Sequence, residues 1–213
     1  MTSSTRRAAP HNDFALFIMR VCIILLLSVG FTVKAADSFF FDKDHTEIRF
    51  YYEHGGVSEQ SGEFTGFKGD LIFDEADFAN NSVSLNIDSK SVNTGVRRLD
   101  GELQNPYYFS AKEHPSITFD STEFQKIDSQ NFVVIGDLTV RGITQQISLD
   151  VEIRHRGKHP LGKNLAYYRG EWLGIKAKTS FKRSDFEMTS WIPVISDLVR
   201  VEVNAELKAR KKK

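Results

Sequence analysis

LVRVEVNAELK, residues 198–208, alternates without a break: Val199, Val201, Val203, Ala205 and Leu207 fall on one side, Arg200, Glu202, Asn204, Glu206 and Lys208 on the other. A period of two is that of an extended strand with one dry and one wet face. The same period runs through SVSLNID (82–88; Val83, Leu85, Ile87) and QISLDVEIR (146–154; Ile147, Leu149, Val151, Ile153). It recurs more loosely in EIRFYYE (47–53), GEFTGFKGDLIFD (62–74), SITFDSTEF (116–124), NFVVIGDLTV (131–140) and GEWLGIKAKTSF (170–181). The sequence therefore predicts eight strands. Turn signals separate them: Gly55-Gly56, DEADFANN (74–81), DSQN (128–131), Arg141-Gly142 and GKHPLGKN (157–164). Short connections make consecutive strands antiparallel neighbours, and eight strands with one apolar face each are best satisfied by closing the sheet on itself. Such a barrel is either filled by side chains or holds one small ligand.

One segment breaks the pattern. VNTGVRRLDGELQNPYYF, residues 92–109, carries Val96, Leu99 and Leu103 at helical spacing, with Thr94 placed to cap the N-terminus and Pro106 to stop the helix. Arg97, Arg98 and Asp100 lie on its other face, and Tyr107, Tyr108 and Phe109 follow. The predicted helix lies across one end of the barrel with its apolar stripe inward, as a plug or as the rim of a mouth.

Residues 1–35 are of another kind. Arg6, Arg7 and Arg20 precede and interrupt an apolar run that ends in Val33-Lys34-Ala35, as in a secretory signal peptide cut between Ala35 and Ala36. The alternative is an uncleaved anchor. Residues 36–213 then form a single domain, a size that one all-β core accommodates. Cys22, the only cysteine, lies in the apolar run, so an exported chain has no disulfide and no thiol nucleophile.

The chain has 28 basic and 28 acidic residues, but residues 1–35 hold four of the former and one of the latter. The remainder is acidic by about three charges, and five of its basic residues sit in the terminal KARKKK. A folded body of this sign argues against nucleic-acid binding, which needs a basic surface. The tail itself is a solvated end, with a peripheral contact to anionic lipid as the sharper alternative. No HExxH, no His/Cys cluster, no GxSxG, no P-loop and no GxGxxG occurs. His155 and His159 flank a loop without fixed geometry and read as solvated surface residues. No cofactor or metal is indicated, and the chain is not expected to be an enzyme.

HTEIRFYYEHGGVSEQSGEFTGFKGDLIFD (45–74), SVNTGVRRLDGELQNPYYF (91–109), AKEHPSITFDSTEF (111–124), GDLTVRGITQQISLDV (136–151) and FKRSDFEMTSWIPVISDLVRVEV (181–203) resemble, in order and spacing, the YceI-like family of polyisoprenoid- or lipid-binding proteins. The resemblance implies an all-β, eight-stranded antiparallel, lipocalin-like barrel with a short helix near one end, exported to the periplasm. It also implies a long prenyl or acyl chain inside the barrel with its polar end near the mouth. Leu99 stands where the family commonly has Arg, Glu102 where it often has His, and Glu187 where it usually has Gly.

The inward set read from the alternation is Phe50, Tyr52, Phe64, Leu85, Ile87, Phe119, Leu138, Leu149, Trp172, Ile175, Phe181 and Val201, joined by Leu103 and Phe109 from the end segment. Arg97, Arg98, Arg183 and Asp100 are the candidates for the mouth, arginine being suited to a phosphate or carboxylate head group. WIPVIS (191–196) reads as a packing loop, with a mouth flap or docking patch as the alternative. Three functions stay open: a carrier of a long-chain amphiphile, a lipid-modifying enzyme, and an interaction protein, either a partner of a membrane b-type cytochrome, as the family's gene neighbourhoods suggest, or a stress-response factor. A homodimer is compatible with the fold by analogy alone.

Overall fold

A computed structural model describes residues 36–211; the segment read as a signal peptide, with Cys22, and the last two lysines of the tail lie outside the described residues. Ten strands form one antiparallel sheet: β1 (Asp37–His54), β2 (Ser58–Phe64), β3 (Phe67–Phe73), β4 (Ser82–Asp88), β5 (Val92–Asn93), β6 (Ser116–Lys126), β7 (Asn131–Val140), β8 (Ile143–Lys158), β9 (Glu171–Lys182) and β10 (Leu198–Ala209). β1 pairs with β10, so the sheet closes.

The ten strands make eight staves. The upper part of β1 pairs with β2 and its lower part with β3, so β2 and β3 are two halves of one stave broken at Thr65-Gly66. β3 pairs with β4 and β2 with β5, so β4 and β5 form the next stave, broken by a 3-10 turn at Ser89–Ser91. The two breaks lie side by side and are stitched together: the Asp88 amide donates to the Gly66 carbonyl at 2.8 Å and the Thr65 amide to that of Ser91 at 3.2 Å. A Cβ on Gly66 would come within 2.9 Å of Ser91 Cβ, so the close approach requires glycine. The sequence reading, which ran 62–74 as a single strand, counted the staves correctly. Neighbouring staves are consecutive in the chain, an up-and-down topology closed by the β1–β10 pairing, with the two-residue β5 paired on one side only.

In β10 the alternation that opened the sequence reading faces as read: Ala205 and Leu207 are buried, and Val199, Val201 and Val203 pack against the core. β1 changes parity midway. Phe39 and Phe41 point inward, then Ile48 and Phe50 do. Phe41 pairs with Leu207 and Thr46 with Ala205, so five steps along β1 oppose two along β10, and a bulge at 42–45 absorbs the difference.

One end is plugged by Phe78, from a 3-10 turn at Phe78–Asn80, stacked on Phe132 and edge-on to Phe73. At the other end lies the helix α1 (Arg97–Leu103). The predicted cap shifts by two residues: Val96, not Thr94, is the N-cap residue, and it makes no side-chain cap bond. Thr94 instead bonds through its amide and hydroxyl to the Asp100 carboxylate, both at 2.7 Å, which ties the helix entry from within. Val96 is exposed, so of the expected stripe only Leu99 and Leu103 turn toward the protein. Among the described residues no helix is long and apolar enough to cross a membrane.

Candidate functional site

Beneath α1 the barrel encloses an apolar cavity of about 180 Å³. Period-two alternation aims successive side chains into it. β1 contributes Phe50 and Tyr52, β2 Phe64, β4 Leu85 and Ile87. Phe119, Leu138 and Leu149 enter from β6, β7 and β8, Phe181 and Val201 from β9 and β10. Leu103 and Phe109 close it from above, Phe109 lying edge-on to Phe64 with ring centroids 5.3 Å apart. A second cavity of about 90 Å³ lies toward the Phe73–Phe132 end and takes in Ile175. Leu85, Phe119, Leu149 and Val203 line both, forming a septum between two chambers.

Four of the expected site residues lie elsewhere. Trp172 and Ile175 are three apart on β9 and cannot share a face; Ile175 is the inward one. Trp172 is on the outer wall, 1% exposed, beneath Tyr167, Tyr168 and His159, with its indole N–H donating to the Tyr168 carbonyl. Arg97 and Arg98 are exposed on α1 and line neither chamber. Asp100 is occupied by Thr94.

Arg183 does line the cavity, but as a clamp. It is 6% exposed and donates Nε to the Ser196 carbonyl, Nη1 to Met188, and Nη2 to Ser190 and Ile195. Four of its five N–H groups are thus committed to the 188–197 loop. Burial holds its pKa below the usual arginine value, opposed by Tyr108 and the Asp197 carboxylate. The loop is not the packing segment expected from sequence: Trp191 and Val194 are 69% and 59% exposed, while Ile195 reaches the cavity.

Besides the Thr179 hydroxyl, the polar groups left in the lining are phenols. Tyr52 and Tyr108 line the cavity, and burial raises both pKa values; the Glu102 carboxylate adds to the rise at Tyr108 while Arg183 opposes it. Both are neutral hydroxyls at physiological pH. Arg49, the other cation in the wall, is paired with Glu63 at 2.9 Å. Sequence reasoning missed Tyr108, which lay in the aromatic run but carried no strand period to assign its direction. It also missed Arg141, whose Nη1 donates to the Pro106 carbonyl at 2.6 Å and also to that of Tyr108, fixing the lid segment. Arg141 and Gly142 both have positive φ, 54° and 75°, as a tight two-residue hairpin between β7 and β8 demands.

A closed up-and-down barrel with an apolar, ligand-sized interior under a helical lid defines the class as lipocalin-like. Comparison with known proteins gives the family: the YceI-like domain matches residues 39–207, and the chain belongs to that family. A UPF0312 protein of Pectobacterium carotovorum is 30% identical over 184 residues, covering 86% of this chain and 92% of its own. The solved YceI protein of Campylobacter jejuni is 29% identical with a TM-score of 0.65, covering 75% of this chain and 90% of its own. A polyisoprenoid binding domain from Saccharophagus degradans, implicated in plant cell wall breakdown, superposes with a TM-score of 0.61 at 15% identity, over 82% of this chain and 99% of its own, and shows the shared fold.

Proposed function

We propose that this chain is an exported, periplasmic, non-enzymatic carrier that shields the prenyl or acyl chain of an amphiphile inside its barrel. The observation that carries the reading is the apolar cavity beneath α1, walled by Phe, Leu, Ile and Val from every stave. Transfer of a hydrocarbon chain from water contributes about 0.8 kcal/mol per buried methylene, so a chain of ten or more outweighs its ordering cost without any reactive group. The polyisoprenoid-binding description of the Saccharophagus domain supports the same ligand class. The commitments of Arg183 and Arg49, and the outward placement of Arg97 and Arg98, favour a head group that bonds to the Tyr52 and Tyr108 hydroxyls rather than a phosphate held by arginines.

Native mass spectrometry of the protein from its own host, followed by organic extraction, tests this. A stoichiometric prenyl or acyl lipid supports the carrier. A bare polypeptide mass that stays bare after incubation with polyprenyl and fatty-acyl lipids refutes it.

A further inference from the structure

The β1 bulge places DKDH, residues 42–45, on the outer wall beside β10 and the 159–168 connection, on the far side of the sheet from the cavity. Asp42 is 3% exposed, and its Oδ2 lies 2.9 Å from His45 Nδ1. Glu206, on β10, is part-exposed as a side chain, but its Oε2 is buried without a well-formed hydrogen bond, its basic neighbour being His159 Nε2 at 3.4 Å. One ligand atom from each of Asp42, His45 and Glu206 falls within 4.8 Å of the others. Each of the two carboxylates faces an imidazole, Asp42 that of His45 and Glu206 that of His159, and their closeness, with Asp42 inside the protein, favours a cation between them.

We propose that Asp42, His45 and Glu206 bind a divalent first-row transition ion. An imidazole with two carboxylates is a donor set for zinc, cobalt or nickel, whereas calcium and magnesium take oxygen ligands throughout. Ligand bonds of about 2.0–2.2 Å place tetrahedral ligand atoms roughly 3.4 Å apart, so the 2.9 Å Asp42–His45 pair must open while the wider spacings, up to 4.8 Å, must close. The ion takes the place of the proton shared by Asp42 and His45.

Each ligand already has a partner that fixes its orientation. The Asp44 amide donates to Asp42 Oδ1 at 3.2 Å, and the Tyr167 phenol, its pKa pushed up to about 12 by burial and by this carboxylate, stands beside it. The Tyr168 hydroxyl is 3.2 Å from His45 Nε2, leaving Nδ1 directed at Asp42. His159 accepts the Leu161 amide at Nδ1, so its proton sits on Nε2, which faces Glu206 Oε2 at 3.4 Å. Outer partners of this kind hold ligands in metal sites and are worth about 10- to 100-fold in affinity. Far from being solvated, His159 is stacked on Tyr168 at 4.4 Å and only 14% exposed in its side chain. An open pocket lined by His45, His155, His159 and Glu206 gives an ion access from solvent. The site joins the β1 bulge to β10, with the 159–168 strap as its outer support.

The test is titration of the untagged, EDTA-treated protein with Zn²⁺ by calorimetry and with Co²⁺ by visible absorption. One equivalent of Zn²⁺ is expected, insensitive to millimolar Mg²⁺, with Co²⁺ bands characteristic of mixed nitrogen and oxygen ligands. His45→Ala and Glu206→Gln are each expected to weaken binding by about tenfold or more and to abolish the Co²⁺ bands. Both side chains are partly exposed, so these variants fold even where loss of the buried Asp42 does not. Absence of Zn²⁺ uptake by the folded wild type, or an unchanged isotherm in either variant, overturns the proposal.

Discussion

Replacing Arg183 by Met removes a side chain that the structure makes a clamp for the 188–197 loop. Its four hydrogen bonds to carbonyls carry the guanidinium charge, and bonds of that kind are worth about 1.5–3 kcal/mol each. The gross loss is about 6–12 kcal/mol, and from it must be subtracted the guanidinium's own desolvation, the same cost that holds its pKa down. Carbonyls released with the loop also regain water. The net destabilisation expected is about 3–5 kcal/mol, the range for removing one member of a buried charged network. Arg183→Lys keeps the charge but has three donors on one atom, which cannot span four carbonyls, so it recovers less than half. Urea unfolding measures the loss, and Trp191 reports where it falls. In a Trp172→Phe background Trp191 is the sole tryptophan, and its emission moves as the loop peels away before the barrel unfolds. Hydrogen exchange at the Ile195 and Ser196 amides, which bond to Trp191 and Glu53, should accelerate with it. An Arg183→Met protein within about 1 kcal/mol of its parent, with those amides unchanged, refutes the clamp.

Val201→Trp fills the cavity and is expected to abolish co-purification of lipid at a stability cost of about 1–3 kcal/mol, whereas Arg97→Ala and Arg98→Ala leave lipid content unchanged; mass spectrometry of the three proteins decides. Trp172→Ala should cost about 3–5 kcal/mol in thermal or urea unfolding with lipid affinity intact, because the ring packs on the outer wall; parallel loss of binding contradicts that placement. Glu187 sits in the left-handed region at φ 59°, where a side chain is strained, so Glu187→Gly should stabilise by about 0.5–1 kcal/mol, and a destabilised variant shows that another contact dominates. The Ser110 hydroxyl, and then the backbone, hold the Glu113 carboxyl below its ordinary pKa. A depressed folded pKa stabilises above the unfolded value, and that contribution is lost as pH falls through the folded one. Ser110→Ala should raise the Glu113 pKa in an NMR titration, and an unmoved titration excludes the hydroxyl as the cause.

The staves were legible because β10, β4 and β8 alternate strictly, and a period of two leaves one choice of face. Reading failed where that period was interrupted or ignored. Trp172 and Ile175 could be separated by parity alone, yet both are large and apolar, and burial says nothing about which wall a ring is buried against. The parity change of β1 follows from a bulge in DKDH, a polar stretch that reads as surface in either register. At the lid, Thr94 is a reasonable cap by residue type, but the Asp100 carboxylate competes for its hydroxyl and moves the helix start to Val96. Arg183 carried the charge expected of a mouth residue, and only the fold shows that four loop carbonyls consume it. Glu187 had a local signal, since the glycine usual in the family marks a backbone that turns left-handed there. The convergence of Asp42, His45 and Glu206 had none, because closure of β1 on β10 brings together opposite ends of the chain.

For the proposed carrier, the septum of Leu85, Phe119, Leu149 and Val203 would make occupancy a matter of length as well as polarity. A short tail ends in the upper chamber and leaves these four side chains at rest. A longer one has to turn them aside, and once through it rests against the aromatic plug of Phe73 and Phe132, with the septum closing around its middle. Under the proposed carrier role the barrel would then act as a ruler with two graduations, with long guests, held by side chains that must move twice for each visit, exchanging more slowly than short ones.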